Sequence, residues 1–297
     1  MKVFLTGASG YIGSHLTTLL LEEGHQLTAI ARSDASAKKL EDQGVTVIRA
    51  SLEDTQALTK AASDADAVIH LAYIHDFSDY GGRPAQIDFA AVRALATGLK
   101  GTNKPLVTTS GVPSPGIRIC TELDVGKYGP RAEAENVLFE YTSQGVRTAV
   151  IRLPFTVHGD SDKGFIPHVI DQSRQKGVAA YVGEGDNHWP AVHVKDAAQL
   201  YKAVIESKTL EGGKILHAVQ DEGIPFKQIA EVVGKKLGVE TKSVADGDVG
   251  KYYSWLGMFV KMDFICSSKL TREWLGWEPK EKGLLADLES SQTYFKE

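Results

Sequence analysis

Eight residues, Thr6 to Gly13, read TGASGYIG and constrain the fold more than any other stretch of this 297-residue chain. They follow a short apolar run, KVFLT, and open an amphipathic run with helical spacing over 13–23. Between a strand and a helix each glycine has a use. Gly7 permits the tight turn, Gly10 lets the backbone approach a pyrophosphate, and Gly13 allows the helix to pack closely on the strand. The helix N-terminus then offers free N–H groups and its positive dipole end to the phosphates. Out of context the same pattern is only a Gly-rich turn. In context it predicts a dinucleotide site.

The first half of the chain repeats the strand–helix alternation. QLTAIA, VTVIRA, AVIHLA, PLVTTS and RTAVIRL are short and almost continuously apolar, as suits strands covered on both faces. Helical patterns lie between them at 52–63, about 86–100 and 130–144. This predicts an α/β fold with a Rossmann-type, doubly wound parallel sheet. After Pro154 the pattern becomes irregular, with Gly and Asp clustered at 159–164 and 183–186, one more strand in KILHAV (214–219) and a helix near 225–237. We therefore expect a dinucleotide-binding core over 1–155, completed by the strand at 214–219. Residues 156–213 and 220–297 should form a small substrate-binding lobe within one folding unit.

Composition narrows the partners. The net charge of −5 gives no electrostatic case for nucleic acid or an anionic membrane. No apolar stretch approaches the ~20 residues a membrane span needs, and KVFLT begins without a cleavable signal, so a cytoplasmic location is expected. Cys120 and Cys266 are far apart in sequence and without paired spacing, which argues against a disulfide framework or zinc. Nine scattered histidines include no ligand-spaced pair, so no metal is expected. The partner is then a small-molecule substrate, and the sequence admits a homodimer.

Nineteen residues past Gly13 the second strand ends in AIARS. An NAD enzyme usually places Asp or Glu there for the ribose 2′-hydroxyl, but Arg32 occupies the position, followed by Ser33. A guanidinium can pair a 2′-phosphate and stack on adenine, which favours NADP(H) over NAD(H). The other reading makes Arg32 a solvated surface residue and Asp34 a displaced ribose ligand.

These motifs together resemble the extended short-chain dehydrogenase/reductases of the epimerase/dehydratase type, across essentially the whole chain. TGASGYIG matches the phosphate loop, HLAY (70–73) resembles the segment lining the cofactor, and LVTTSG matches the strand ending in the active-site Ser. IRLPFTVHG (151–159) resembles the element whose proline approaches the nicotinamide, and WPAVHVKDAA and LGWEP match later family motifs. The resemblance implies cofactor contacts from Gly7, Gly10, Tyr11, Ile12, Gly13, Arg32, Ser33, Leu52, Leu71, Ala72, Tyr73, Arg131 and Pro154.

The family's acid is the Tyr of Y-x-x-x-K, and here GKYGPRAEAE departs from it: Ala132 stands four residues after Tyr128. Aligning the following AEAE on the family's helix puts Arg131 at the lysine position and Lys127 at the tyrosine position. Arg131 can still hydrogen-bond a ribose and lower a nearby phenol's pKa, although it cannot relay a proton. Pro130 suits the first helical position, leaving Tyr128 in the turn before it. The candidates for chemistry are Ser110, as carbonyl or imine binder or mere strand cap, Tyr128 as proton source, and Arg131.

Tyr73, His75 and Asp76 follow the fourth strand at the sheet's carboxyl end, where a His–Asp neighbour is either an acid/base pair or loop polarity. His70 and His217 read as core groups. His75, His158 and Trp189 are substrate-binding candidates, with His188 in the same lobe, and the reading that competes for Trp189, and is favoured for it, is packing against the lobe. YYSWLGMF (252–259) is either pocket wall or core helix. Two functions from different classes follow: an NADP-dependent oxidoreductase reducing a carbonyl or imine of a fairly apolar small molecule, or a non-catalytic, redox-sensing NADP-binding regulator. Sugar-nucleotide epimerisation or dehydration is a weaker third, because it leans on the missing dyad.

Overall fold

The computed structural model describes residues 1–76, 79, 81–113, 119–126 and 129–296. In the first half, strands β1 (Lys2–Thr6), β2 (Gln26–Ala31), β3 (Thr46–Arg49), β4 (Ala67–His70), β5 (Pro105–Gly111) and β6 (Arg147–Leu153) alternate with helices α1 (Tyr11–Glu22), α2 (Asp34–Glu41), α3 (Thr55–Asp64), α4 (Arg83–Leu99) and α5 (Pro130–Phe139). The second half holds β7 (Thr156–His158), α6 (Phe165–Lys176), β8 (Val178–Val182), β9 (His188–His193), α7 (Val194–Glu206), β10 (Lys214–His217), β11 (Asp221–Pro225), α8 (Phe226–Leu237) and β12 (Glu240–Val244). Four short helices follow: α9 (Val249–Tyr253), α10 (Gly257–Val260), α11 (Lys269–Leu275) and α12 (Leu284–Ser290).

Among the described residues the main sheet has seven strands, ordered β10-β6-β5-β4-β1-β2-β3, all paired in parallel. The strand order reverses between β1 and β4, which opens a crevice at their carboxyl ends. Both faces are covered, so the strands read as continuous apolar runs. Leu16 and Leu20 of α1 join Leu200 and Val204 of α7 on one face; Leu58, Val92, Leu95 and Leu138 of α3 to α5 fill the other.

Two boundaries differ from the sequence pattern. The helix expected from residue 52 starts at Thr55, because the Asp54 carboxylate accepts hydrogen bonds from the Ser51 amide and hydroxyl and closes a turn first. The helix expected over 130–144 ends at Phe139, followed by a separate short 3₁₀ turn over Thr142–Gln144. A larger difference concerns α7. It lies within 156–213, expected to be lobe, yet it packs on α1 against the main sheet. The remainder of the lobe is built from a three-stranded sheet, β11-β9-β7, and a parallel pair, β12-β8, around buried Trp189, Phe226 and Tyr253. The cysteines, distant in sequence, meet as buried thiols, not joined in a disulfide, across an isolated bridge. Sequence separation did not measure their distance, because residues 120 and 266 belong to segments that meet only through the tertiary fold.

Candidate active site

The phosphate loop is shaped by steric need. Gly7 has φ +76°, and a Cβ there would sit 2.7 Å from the Ala72 amide nitrogen. A Cβ on Gly13 would run into the Gly7 carbonyl, so helix and loop could not approach as they do. The Gly10 amide donates to Gly7 O at 3.0 Å, and the first turn of α1 carries no side-chain cap. Its N–H groups are therefore left to a ligand. Behind the loop, His70 Nδ1 lies 2.7 Å from Thr6 Oγ1 and Nε2 lies 3.1 Å from Asp88 Oδ1. Thr6 Oγ1 also accepts the Ala72 amide at 3.2 Å, which locks Leu71 and Ala72 beside Gly7. Ile12 is partly buried against the core. The Tyr11 hydroxyl is buried with no hydrogen-bond partner among the described residues, and burial followed by Asp162, Asp287 and Asp160 pushes its pKa up.

At the carboxyl end of β2 Arg32 is exposed, and Leu52 is buried nearby in sequence after β3. Ser33 caps α2, its Oγ accepting the Ser36 amide at 3.2 Å. Arg49 closes β3 and donates through Nη1 to Asp34 Oδ1 at 2.9 Å and to Ser33 O at 3.2 Å. Asp34 is thus engaged by a guanidinium. Nothing in VTVIRA marks Arg49 as more than a strand end, so no local pattern points to it.

At the other end of the crevice the Arg131 guanidinium lies over Tyr73, 3.5 Å from the ring centroid, and its Nη1 donates to Thr109 O at 3.4 Å. Tyr73 is edge-on to His75 at 5.3 Å. Partial desolvation, then the Arg131 charge, hold the exposed His75 imidazole below its ordinary range. Thr109 Oγ1 donates to His70 O at 3.0 Å and lies 2.7 Å from the Tyr201 hydroxyl. Ser110, next along β5, is only 5% exposed, yet its hydroxyl has no hydrogen-bond partner among the described residues. Gly129, at φ +90°, caps α5, and Pro130 is its first residue. Lys127 and Tyr128 lie outside the described residues, as does the Tyr128 part of the expected site.

Neighbouring side chains fix this end. Arg152, fully buried in β6, donates through Nε and Nη2 to the Glu135 carboxylate at 2.9 and 2.6 Å. Its Nη1 donates to Asp124 O at 2.6 Å. One guanidinium therefore joins β6, the helix carrying Arg131 and the segment leading toward Tyr128. Pro154 is buried immediately beyond β6.

Two of the substrate-binding candidates lie within the packing of the lobe. His158 is fully buried, its Nδ1 2.8 Å from Asp287 Oδ2 and its ring edge-on to His193. Trp189 is also fully buried, its indole donating to Phe259 O at 3.2 Å. Lobe packing surrounds both. His188 instead pairs with Asp263 at 2.8 Å. Asp196 of VHVKD accepts the amides of Lys280 and Glu281 at 2.9 and 3.0 Å, while Trp277 of LGWEP donates to Asp196 O. Those two motifs are one clamp.

This crevice and fold are those of a nucleotide-binding family, and the chain belongs to it: the model of the NAD dependent epimerase/dehydratase family matches residues 3–217. Among individual proteins, it is 41% identical to an uncharacterized protein of Schizosaccharomyces pombe over 99% of this chain and 100% of the other. It is 26% identical to a sterol-4-alpha-carboxylate 3-dehydrogenase (decarboxylating) of Dictyostelium discoideum, covering 82% of this chain and 78% of that protein. A 2-alkyl-3-oxoalkanoate reductase of Stenotrophomonas maltophilia is 27% identical over 80% and 76%. In fold it is similar to the UDP-glucose 4-epimerase of Thermotoga maritima, with TM-score 0.75, 18% identity and 97% and 96% coverage. The glycine cradle, the uncapped first turn of α1 and the unpartnered Ser110 hydroxyl fit a bound dinucleotide and a substrate beside it. No helix among the described residues is long and apolar enough to cross a membrane.

Proposed function

We propose that this protein is an NADP(H)-dependent reductase acting on a carbonyl or imine of a small, fairly apolar molecule. The observation that carries this reading is the buried, unpartnered Ser110 hydroxyl at the carboxyl end of β5. Such a group costs about 1–3 kcal/mol to leave unpaired. It is satisfied when it donates to a carbonyl oxygen or an imine nitrogen. Arg131 holds the nicotinamide ribose, and the proton reaches the reduced substrate from solvent, with Tyr128 at most an auxiliary donor. The bound cofactor supplies the hydride. Arg32 takes the 2′-phosphate, and the engagement of Asp34 by Arg49 removes the competing carboxylate. The apolar substrate is supported by relatives named for sterol and alkyl-oxoalkanoate substrates.

NADPH consumption against a panel of aldehydes, ketones and cyclic imines, with a no-substrate control, tests the reading. The expected result is turnover that Ser110→Ala removes. The stacking of Arg131 on Tyr73, in place of a free lysine, favours a second reading: a redox-sensing regulator. Tight NADPH binding with no oxidation across the panel would select that one.

A further inference from the structure

We infer that Arg49 is a second cation for the 2′-phosphate of NADP(H), so that cofactor choice depends on two guanidiniums and not on Arg32 alone. This rests on the NADP(H) reading and names a residue that completes it. Strand register brings the two together. β3 runs parallel to β2 with Arg49 beside Ala31, the residue before Arg32. Both strands therefore end at one level of the sheet, where a fold of this type holds the ribose of the adenosine half. Arg49 then reaches over the turn that follows β2, its Nη1 donating to Ser33 O at 3.2 Å and to Asp34 Oδ1 at 2.9 Å. The head group is thus fixed on the two residues that follow Arg32.

Two features separate this arrangement from a purely structural ion pair. Both bonds come from Nη1, so the edge formed by Nε and Nη2 has no partner among the described residues. That is the edge Arg152 uses to grip the Glu135 carboxylate, and it binds phosphate oxygens in the same two-bonded way. The pair is also open to water: the Arg49 side chain is 48% exposed and that of Asp34 fully exposed. Such a pair contributes little to folding. Charge supplies the remaining argument. Arg32 and Asp34 alone leave the turn neutral, and Arg49 brings it to +1. A phosphomonoester carries about −1.5 to −2 at neutral pH, so a neutral turn gives it no net attraction.

The test reads binding alone, by titration calorimetry of the full-length protein with adenosine 2′,5′-bisphosphate, 5′-AMP, NADPH and NADH. Wild type should bind the bisphosphate more tightly than 5′-AMP. Arg49→Ala should weaken the bisphosphate and NADPH about tenfold, and move 5′-AMP and NADH less than twofold. Arg49→Lys, which keeps the charge and loses the fork, should recover part of that loss. Asp34→Ala added to Arg49→Ala returns the turn to +1 and should also recover part. If Arg49→Ala weakens all four ligands alike, Arg49 only shapes the turn and the inference falls. If Arg32→Ala narrows the ratio of NADPH to NADH affinity and Arg49→Ala does not, Arg49 is excluded while the NADP(H) reading stands. Equal affinity of wild type for the bisphosphate and 5′-AMP overturns both.

Discussion

At Arg131 one side chain makes two commitments, a stack on Tyr73 and a bond to the Thr109 carbonyl, and both aim it at the end of β5. Arg131→Ala should weaken NADPH binding about tenfold or more, the loss expected for a charged ribose contact, as read by fluorescence titration. Tyr128→Phe should leave that affinity intact and lower turnover modestly. Abolished activity in Tyr128→Phe with normal binding in Arg131→Ala would make Tyr128 the acid and end the alignment of Arg131 on the lysine position. Ser110→Ala should keep NADPH affinity and reduce kcat about 100-fold. At the far end, Arg32→Ala should shrink the preference for NADPH over NADH; an unchanged ratio refutes the assignment. The sequence pointed to Ser110, Arg131 and Arg32 because each falls at a fixed offset from a motif. It could not point to Arg49, or to the Arg131–Tyr73 stack, because those join residues from different elements whose meeting depends on the fold.

Among elements, the strands of the first half were readable because burial on both faces leaves nothing but apolar residues in them. Where local polar bonding competes with the pattern, reading failed, as at the Ser51–Asp54 turn before α3. The Arg152–Glu135 pair was equally invisible, since a charged residue inside RTAVIRL carries no mark of its partner. Its energetics can be tested. Arg152→Met would leave Glu135, 5% exposed, as a buried carboxylate without its cation. That should cost about 3–5 kcal/mol in denaturant unfolding, and Glu135→Leu added to it should recover much of the loss. If the double variant is no more stable than the single one, the penalty is not electrostatic.

For the whole molecule, a half-buried carboxyl and a buried imidazole pull the pH dependence of stability in opposite directions. Burial raises Asp162 from 3.8 to about 6, so its contribution is full below the unfolded value and is lost as pH rises toward 6. Burial lowers His217 from 6.5 to about 4, so its contribution is full above 6.5 and is lost as pH falls toward 4. Between about pH 4 and 6 the two offset. Relative to wild type, Asp162→Asn should gain stability as pH rises through this window, and His217→Asn should lose it; parallel profiles for all three proteins would discount both shifts. A fragment ending near residue 155 should not fold cooperatively, because it lacks β10 and the α7 face that covers Leu16 and Leu20. A soluble fragment that unfolds cooperatively and binds nucleotide would contradict that. The placement of β10 also sets a clock. Lys214 to His217 must find Ala149 to Arg152 across more than sixty residues of intervening chain, and parallel pairing offers no hairpin to guide them. The edge of the sheet beyond β6 is then the slow part of refolding, and until it closes the strand bearing Arg152 has one open side through which another chain can pair.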